Sequence, residues 1–275
     1  MSGFDIEWQT FFGEHVYVYV TCKPEMSESS RITRQRDLQQ TAGQGAWLDA
    51  ALSRQLQAII SSCFSGIDSG AYLNKYFLRD DCFMRRLRLF YSGEQLVGYC
   101  LLTFARHRLA GTGRQGKSVV LMGASAGFLP DYRHGNHTLQ FSLQQAIHYK
   151  LRHPLQTVYF ADTMLSPAMY RVMAKAVGII YPHPDKATPP DVVKLLQHLQ
   201  PDSQSPGHVM FVGRKSQYSS TDLQRFAASD KAEIRFYLQT NPQFAEGYAL
   251  LTVIPVSLWQ MLLTGMRRLQ KHCAA

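Results

Sequence analysis

The sequence predicts an α/β domain with a mixed, mostly antiparallel sheet flanked by helices, and three observations predict it. First, RRLRLFYSGEQLVGYCLLTFAR (85–106) alternates Leu87, Leu89 and Tyr91 into Ser92-Gly93-Glu94, and a second apolar run returns from Leu96. That is a hairpin. Second, SVVLMGASAGFL (118–129) is a nearly unbroken apolar stretch of strand length. Third, Leu139, Leu143, Ile147 and Leu151 fall on one helical face before another apolar run, LQTVYFAD (155–162). A strand-helix-strand crossover that follows a hairpin produces a mixed sheet with helices on its faces.

The remaining elements follow in chain order. EHVYVYVTC (14–22) alternates aromatic and β-branched residues as a strand does, and the polar, Ser/Arg/Gln-rich 23–46 reads as a linker or mobile loop. Leu48, Leu52, Leu56, Ile59 and Ile60 mark a helix within 47–64, and RLAGTGRQGK (108–117) is an exposed basic loop. Gly123 and Gly127 suggest a bulge or a close backbone approach in strand 118–129. SPAMYRVMAKAVG (166–178) starts with a Ser166 cap and Pro167 at the first helical position, and ends at Gly178. IIYPHP (179–184) leaves as an extended segment. Beyond it come a short helix in PPDVVKLLQHLQ, a strand in HVMFVGR, a helix in TDLQRFAAS and a strong strand at 247–257. The last segment is the basic amphipathic LWQMLLTGMRRLQKH. The expected organisation is an N-terminal extension (1–46), a core (47–184) and an enlarged C-terminal region (185–275) that completes the sheet.

Composition bounds the function. With 275 residues, 45% hydrophobic and only 18% charged, the chain folds rather than remaining disordered. No run reaches the ~18 apolar residues of a membrane span, and the acidic start MSGFDIEWQTFFGEH is not a signal peptide. Five cysteines without a C-x-x-C pair suit reduced, buried thiols in a cytoplasmic protein, with no metal site expected. A net charge of +9 calls for an anionic partner: nucleic acid, an anionic membrane surface, an acidic carrier protein or a polyphosphate cofactor. Nucleic acid is the weaker choice, because no base-reading motif is present. The C-terminal segment could lie on a membrane surface. The strong strand leading into it favours docking on the domain.

The most informative stretch is GFLPDYRHGNHTLQFSLQQAIHYKL (127–151). It places Arg133, His134 and His137 where a buried strand hands over to a helix, whose free N–H groups and positive dipole end suit an anionic phosphate. In this context GFLPDYRHGNHT resembles the strand, V-x-P and pyrophosphate loop of the GNAT superfamily of acyl-CoA-dependent acyltransferases, R/Q-x-x-G-x-G/A. Arg133 stands at the first position, Asn136 at the glycine and Thr138 at the final small residue. A second stretch, VYFADTMLSPAMYRVMAKAVGIIYP (158–182), resembles the family's fifth strand and following helix. Aligned on Gly178, it puts Ala174 at the usual tyrosine, with Tyr170 one turn earlier on the same face. The resemblance covers about residues 47–184.

That resemblance implies a GNAT-like fold and acyl transfer from acyl-CoA or acetyl-CoA, with an acyl carrier protein as the other thioester donor, to a small-molecule or protein amine by direct attack. It implies an opening between the fourth and fifth sheet strands for the pantetheine arm, hydrogen-bonded by the backbone of Phe128 and Leu129. Arg133, His134, Gly135, Asn136, His137 and Thr138 would hold the pyrophosphate. Asp162 is the expected base, Tyr170 the acid for the departing thiolate, and His137 a further candidate near neutral pH. Ser166 reads as a helix cap, since no partner for a nucleophile is paired with it and G-x-S-x-G is absent. The aromatic RFYLQTNPQFAEGY leaves room for a long acyl chain, as in related long-chain N-acyl and acyl-homoserine-lactone synthases. The alternative is a catalytically inactive GNAT-like domain that binds an acyl ligand or a partner.

Overall fold

The hairpin sets the layers of the molecule. In a computed structural model describing residues 31–43, 46–109, 116–133, 137–200, 208–213, 215 and 218–273, it is β2 (Cys82–Ser92) and β3 (Gln95–Leu109). Alternate β3 side chains point to opposite faces, Tyr99 and Leu101 into one core and Cys100, Leu102 and Phe104 into the other. Each is fully buried, so β3 is apolar on both sides and sits centrally. Burial of a leucine or phenylalanine contributes about 1.5–3 kcal/mol, so these layers dominate stability.

Around β3 the described residues form seven strands in the order β1-β2-β3-β4-β5-β7-β6: β1 (Arg34–Thr41), β4 (Lys117–Phe128), β5 (Val158–Met164), β6 (Val209–Phe211) and β7 (Tyr248–Pro255) join the hairpin. Among the described residues only β4 and β5 pair in parallel, joined by the crossover helix α3 (His137–Arg152). Helices α1 (Ala50–Cys63) and α2 (Ser69–Phe77) cover one face. The opposite face carries α3, α4 (Pro167–Ala176) and α7 (Ala232–Thr240). In chain order α5 (Pro190–Leu199) and α6 (Ser220–Ala227) come between α4 and α7; α5 packs on β3 and β7 from the other face, against Leu121, Tyr159 and Leu251. Ser166 caps α4 through its hydroxyl to Met169 N–H at 3.0 Å, as the sequence suggested.

Two segments depart from the sequence reading. Residues 34–41, within the expected linker, form β1, paired with β2 from Arg34↔Tyr91 to Thr41↔Met84. β1 shows no apolar alternation because, among the described residues, it is an edge strand, mostly exposed, held by its ladder and by polar cross-strand pairs. Arg88 donates twice to Asp37 at 2.7 Å, and Arg85 donates to Gln40 at 2.8 Å. Helix α2 is short, and its starting signal is Asp68, whose carboxylate accepts from Ala71 N–H at 2.7 Å. The strand expected at 14–22 and most of the basic loop at 108–117 lie outside the described residues.

In the C-terminal region, the aromatics expected to leave room for a chain instead pack together: Phe236, Tyr237 and Phe244 meet Tyr170, Tyr218 and Phe226. The last helix, α8 (Leu258–Cys273), docks on the domain through Gln260, Met261, Leu263 and Thr264. Gln260 Nε2 donates to Ile179 O at 2.8 Å and Thr264 Oγ1 accepts from Gly178 N–H at 3.2 Å. Gly178 permits this contact, since a Cβ there would lie 2.5 Å from that of Leu263. Leu258, Trp259, Leu262 and Met266 face outward. Among the described residues no helix is long and apolar enough to cross a membrane.

Candidate functional site

The parallel ladder of β4 and β5 is short. It pairs Val120 with Val158, Leu121 with Tyr159 and Met122 with Phe160, and then stops. Beyond Met122, β4 stays bonded to β3 as far as Phe128↔Gly98, while β5 stays bonded to β7 as far as Met164↔Leu250. The strands therefore diverge, and a wedge opens between them toward their C-terminal ends.

Alternation identifies what lines it. Leu129 N–H donates to Val97 O at 2.9 Å, so odd-numbered residues of β4 bond toward β3 and even-numbered ones face β5. Val120 N–H, which donates to Thr157 O at 2.9 Å, confirms the phase. The backbone of Ala124, Ala126 and Phe128 thus faces the wedge past the end of the ladder. On the β5 side Thr163 N–H is already met by the Asp162 carboxylate at 2.7 Å. Side chains along this half of β4 are small: Gly123, Ala124, Ser125, Ala126 and Gly127.

At the mouth, Arg133 Nε donates to Phe128 O at 3.2 Å, and the same carbonyl accepts from Cys63 Sγ at 3.2 Å. Burial pushes the Cys63 thiol up in pKa, against the opposing pull of Arg133. His137 opens α3 and packs its ring against Phe90 and Phe128, at 5.5 and 6.0 Å between centroids. Burial lowers its pKa, which keeps the imidazole neutral at pH 7. Thr138 is half-buried beside it. The first-turn N–H groups of α3 lack intrahelical acceptors, so its positive end faces this mouth.

Of the predicted residues, the structure brings Phe128, Leu129, Arg133, His137 and Thr138 together at the mouth. His134, Gly135 and Asn136 lie outside the described residues. Leu129 offers no backbone N–H to a ligand, because Val97 takes it. Asp162 sits half-buried on the other wall, its side chain on the face of Phe160 and Met164. Tyr170 is elsewhere: fully buried, it donates its hydroxyl to Pro182 O at 2.8 Å, and burial raises its pKa well above the usual tyrosine range. Helical spacing placed Tyr170 on the right face of α4, but α7 covers that face.

Sequence reasoning missed a hydroxyl cluster on the α1/α2 side of the diverging strand. Ser125 Oγ lies 2.6 Å from Tyr72 Oη and 3.4 Å from Tyr99 Oη, and all three residues are buried. Desolvation holds the Tyr99 hydroxyl well above its ordinary pKa, so it remains a proton donor. The available signal was the small-residue run GASAG (123–127) in an otherwise bulky strand. Among the described residues no cluster of His, Cys, Asp and Glu could hold a metal ion.

No protein-family model and no curated protein matches the sequence. Solved structures do. A protein of Enterococcus faecalis V583 described as a probable N-acyltransferase matches at 12% identity and TM-score 0.36, over 52% of this chain and 32% of its own. A bacterial toxin matches at 17% identity and TM-score 0.32, over 52% of this chain and 79% of its own. An aminoglycoside N-acetyltransferase in complex with CoA matches at 10% identity and TM-score 0.29, over 62% of this chain and 87% of its own. The chain thus spans about a third of the first of these proteins.

Proposed function

We propose that the protein transfers an acyl group from an acyl thioester, acyl-CoA in kind, to an amine by direct attack. The observation that carries this reading is the wedge above Met122–Phe160, with unladdered backbone on its β4 side and a helix N-terminus and arginine at its mouth. An extended amide-containing arm fits a strand edge of this kind, because it can form the hydrogen bonds that β5 no longer forms. Arg133 and the first turn of α3 suit the diphosphate at the end of such an arm. The neutral ring of His137, with Phe90 and Phe128, provides an apolar wall beside it.

In the transfer, the amine nitrogen attacks the thioester carbonyl carbon, and negative charge develops on the carbonyl oxygen. A wedge-facing N–H of Ala124 or Ala126 is aimed to stabilise that charge. The C–S bond breaks, the thiolate leaves and takes a proton, and the nitrogen loses one. Asp162 is assigned to receive the nitrogen's proton, directly or through a water. For the thiolate, the Tyr99–Ser125–Tyr72 hydroxyls replace Tyr170 as proton source, since Ser125 stands on the diverging strand and gathers Tyr99 of β3 and Tyr72 of α2 there, while Tyr170 is bound to Pro182.

The test compares Arg133→Ala with the wild type. Acetyl-CoA and longer acyl-CoAs raise the denaturation midpoint of the wild type by mass action. Loss of one charge-assisted contact weakens that binding by about 10- to 100-fold, leaving the unliganded midpoint in place because Arg133 is exposed. Thiol release with pooled amines then reads the transfer itself. Binding without thiol release on any amine assigns the wedge to a ligand-binding protein, and absence of binding overturns the reading.

A further inference from the structure

α8 starts at the end of the sheet opposite the wedge and leaves several of its apolar side chains in solvent. Trp259 is 62% exposed, and Leu258, Leu262 and Met266 are exposed with it. Val256 N–H donates to Val158 O at 2.9 Å, which ties the end of β7 to the start of β5. Leu155, three residues before Val158 and 98% exposed, therefore lies at the same end as Leu258. Leu151, on the last turn of α3, extends the patch. Exposed leucines and a tryptophan gathered at one end of a chain exceed the scattered apolar exposure of an ordinary surface.

Cations border this patch. Arg106 stacks 4.3 Å over the Phe83 ring, Phe83 meets Tyr149, and Tyr149 meets His153 at 4.6 Å, so Arg106 and His153 flank the end of α3. Arg86 lies close enough to Arg152 to be repelled by it, and burial together with that repulsion lowers its pKa. Among the described residues, none of Arg86, Arg106 and Arg152 has a salt bridge; the nearby acid Asp37 is bound to Arg88. Unpaired cations beside an apolar patch match an interface with anionic headgroups above an apolar layer.

We propose that this end of the molecule docks on an anionic phospholipid surface, with Leu155, Trp259 and Leu262 entering the headgroup boundary and Arg86, Arg106 and Arg152 contacting lipid phosphates. Docking there leaves the wedge, at the far end of β4 and β5, facing away from the bilayer. The inference is independent of the transfer chemistry.

Co-sedimentation of the full chain with vesicles tests it at ~150 mM salt, where weak surface electrostatics are screened. The wild type sediments with phosphatidylcholine–phosphatidylglycerol vesicles and remains in solution with phosphatidylcholine alone. Removal of one arginine weakens binding about five-fold, and Arg86→Gln/Arg152→Gln together about thirty-fold. Leu155→Glu/Leu262→Glu, both at exposed positions, weakens it by at least about ten-fold with an unchanged far-UV spectrum. Failure of the wild type to sediment with the anionic vesicles, equal binding to the neutral ones, or indifference to both variant pairs overturns the proposal. So does a dimer in sedimentation velocity that Leu155→Glu/Leu262→Glu dissolves, which assigns the face to a second copy of the chain.

Discussion

Below Met122, β4 is an ordinary central strand; above it, β4 has a neighbour on one side only. In the lower half Val120, Leu121 and Met122 are bonded to β3 and β5 together, and their side chains are buried. In the upper half the ladder to β3 continues without a register shift, and the partner on the other side leaves. The upper half contains five small residues in succession, and bulky side chains resume at Phe128. The lower half is laddered on both edges, and the upper half has one unladdered backbone edge. The difference between the halves lies in the backbone edge, since Ala124, Ala126 and Phe128 still pack on the core and Ser125 is buried.

The sharpest break of that comparison comes from truncating each half. Met122 is fully buried at the last bonded pair, so Met122→Ala leaves a cavity and costs about 2–5 kcal/mol. Ala126→Gly in the upper half costs about 0.5–1 kcal/mol, from chain entropy. Urea midpoints measured on both variants read the difference directly. Equal costs would show that both halves serve the core alike, and the functional contrast would go.

A smaller effect sharpens the view of the other face. Ser125→Ala leaves the buried Tyr72 and Tyr99 hydroxyls without their shared partner, a cost of about 1–3 kcal/mol. Adding Tyr72→Phe recovers part of that loss, because one fewer buried hydroxyl has lost its bond to Ser125. The double-mutant cycle measures this coupling. Additive losses in the cycle would mean that the three hydroxyls do not act as one cluster. Gly127 belongs to the same arrangement, since a Cβ there would stand 2.9 Å from the Tyr99 ring.

Much of this was legible in the sequence where one physical signal dominated. The hairpin, the crossover around α3 and the cap at Ser166 all follow from local periodicity or local hydrogen bonding. Residues 34–41 were not legible as a strand, because an edge strand exposes both faces and its pairing partner lies some fifty positions away, as in Asp37↔Arg88. The mouth residues Phe128, Arg133 and His137 could be read because they are neighbours along the chain. Tyr72, Tyr99 and Ser125 could not, since only the fold brings α2, β3 and β4 together. Tyr170 misled for the same reason in reverse: its helical face was readable, but the α7 residues that bury it come more than sixty positions later.

The smallest expected effect is the dependence on pH, and its sign separates the free wedge from the occupied one. Burial against Phe90 and Phe128 holds the pKa of His137 below the unfolded value of about 6.5, so the folded chain binds this proton more weakly than the unfolded chain does. Its share of stability is present in full above about 6.5 and is lost as pH falls through the depressed folded pKa. His107 and His208, also lowered by burial, add slopes of the same sign. The wild-type midpoint therefore drops between about pH 7.5 and 5.5, and His137→Phe drops less. A diphosphate bound at the mouth favours protonated His137, so the extra stabilisation given by acyl-CoA grows as pH falls, and in His137→Phe that growth disappears. An acyl-CoA effect that is flat in pH for both proteins would place the phosphates away from His137, and the upper half of β4 would lose its claim to the anionic end of the ligand.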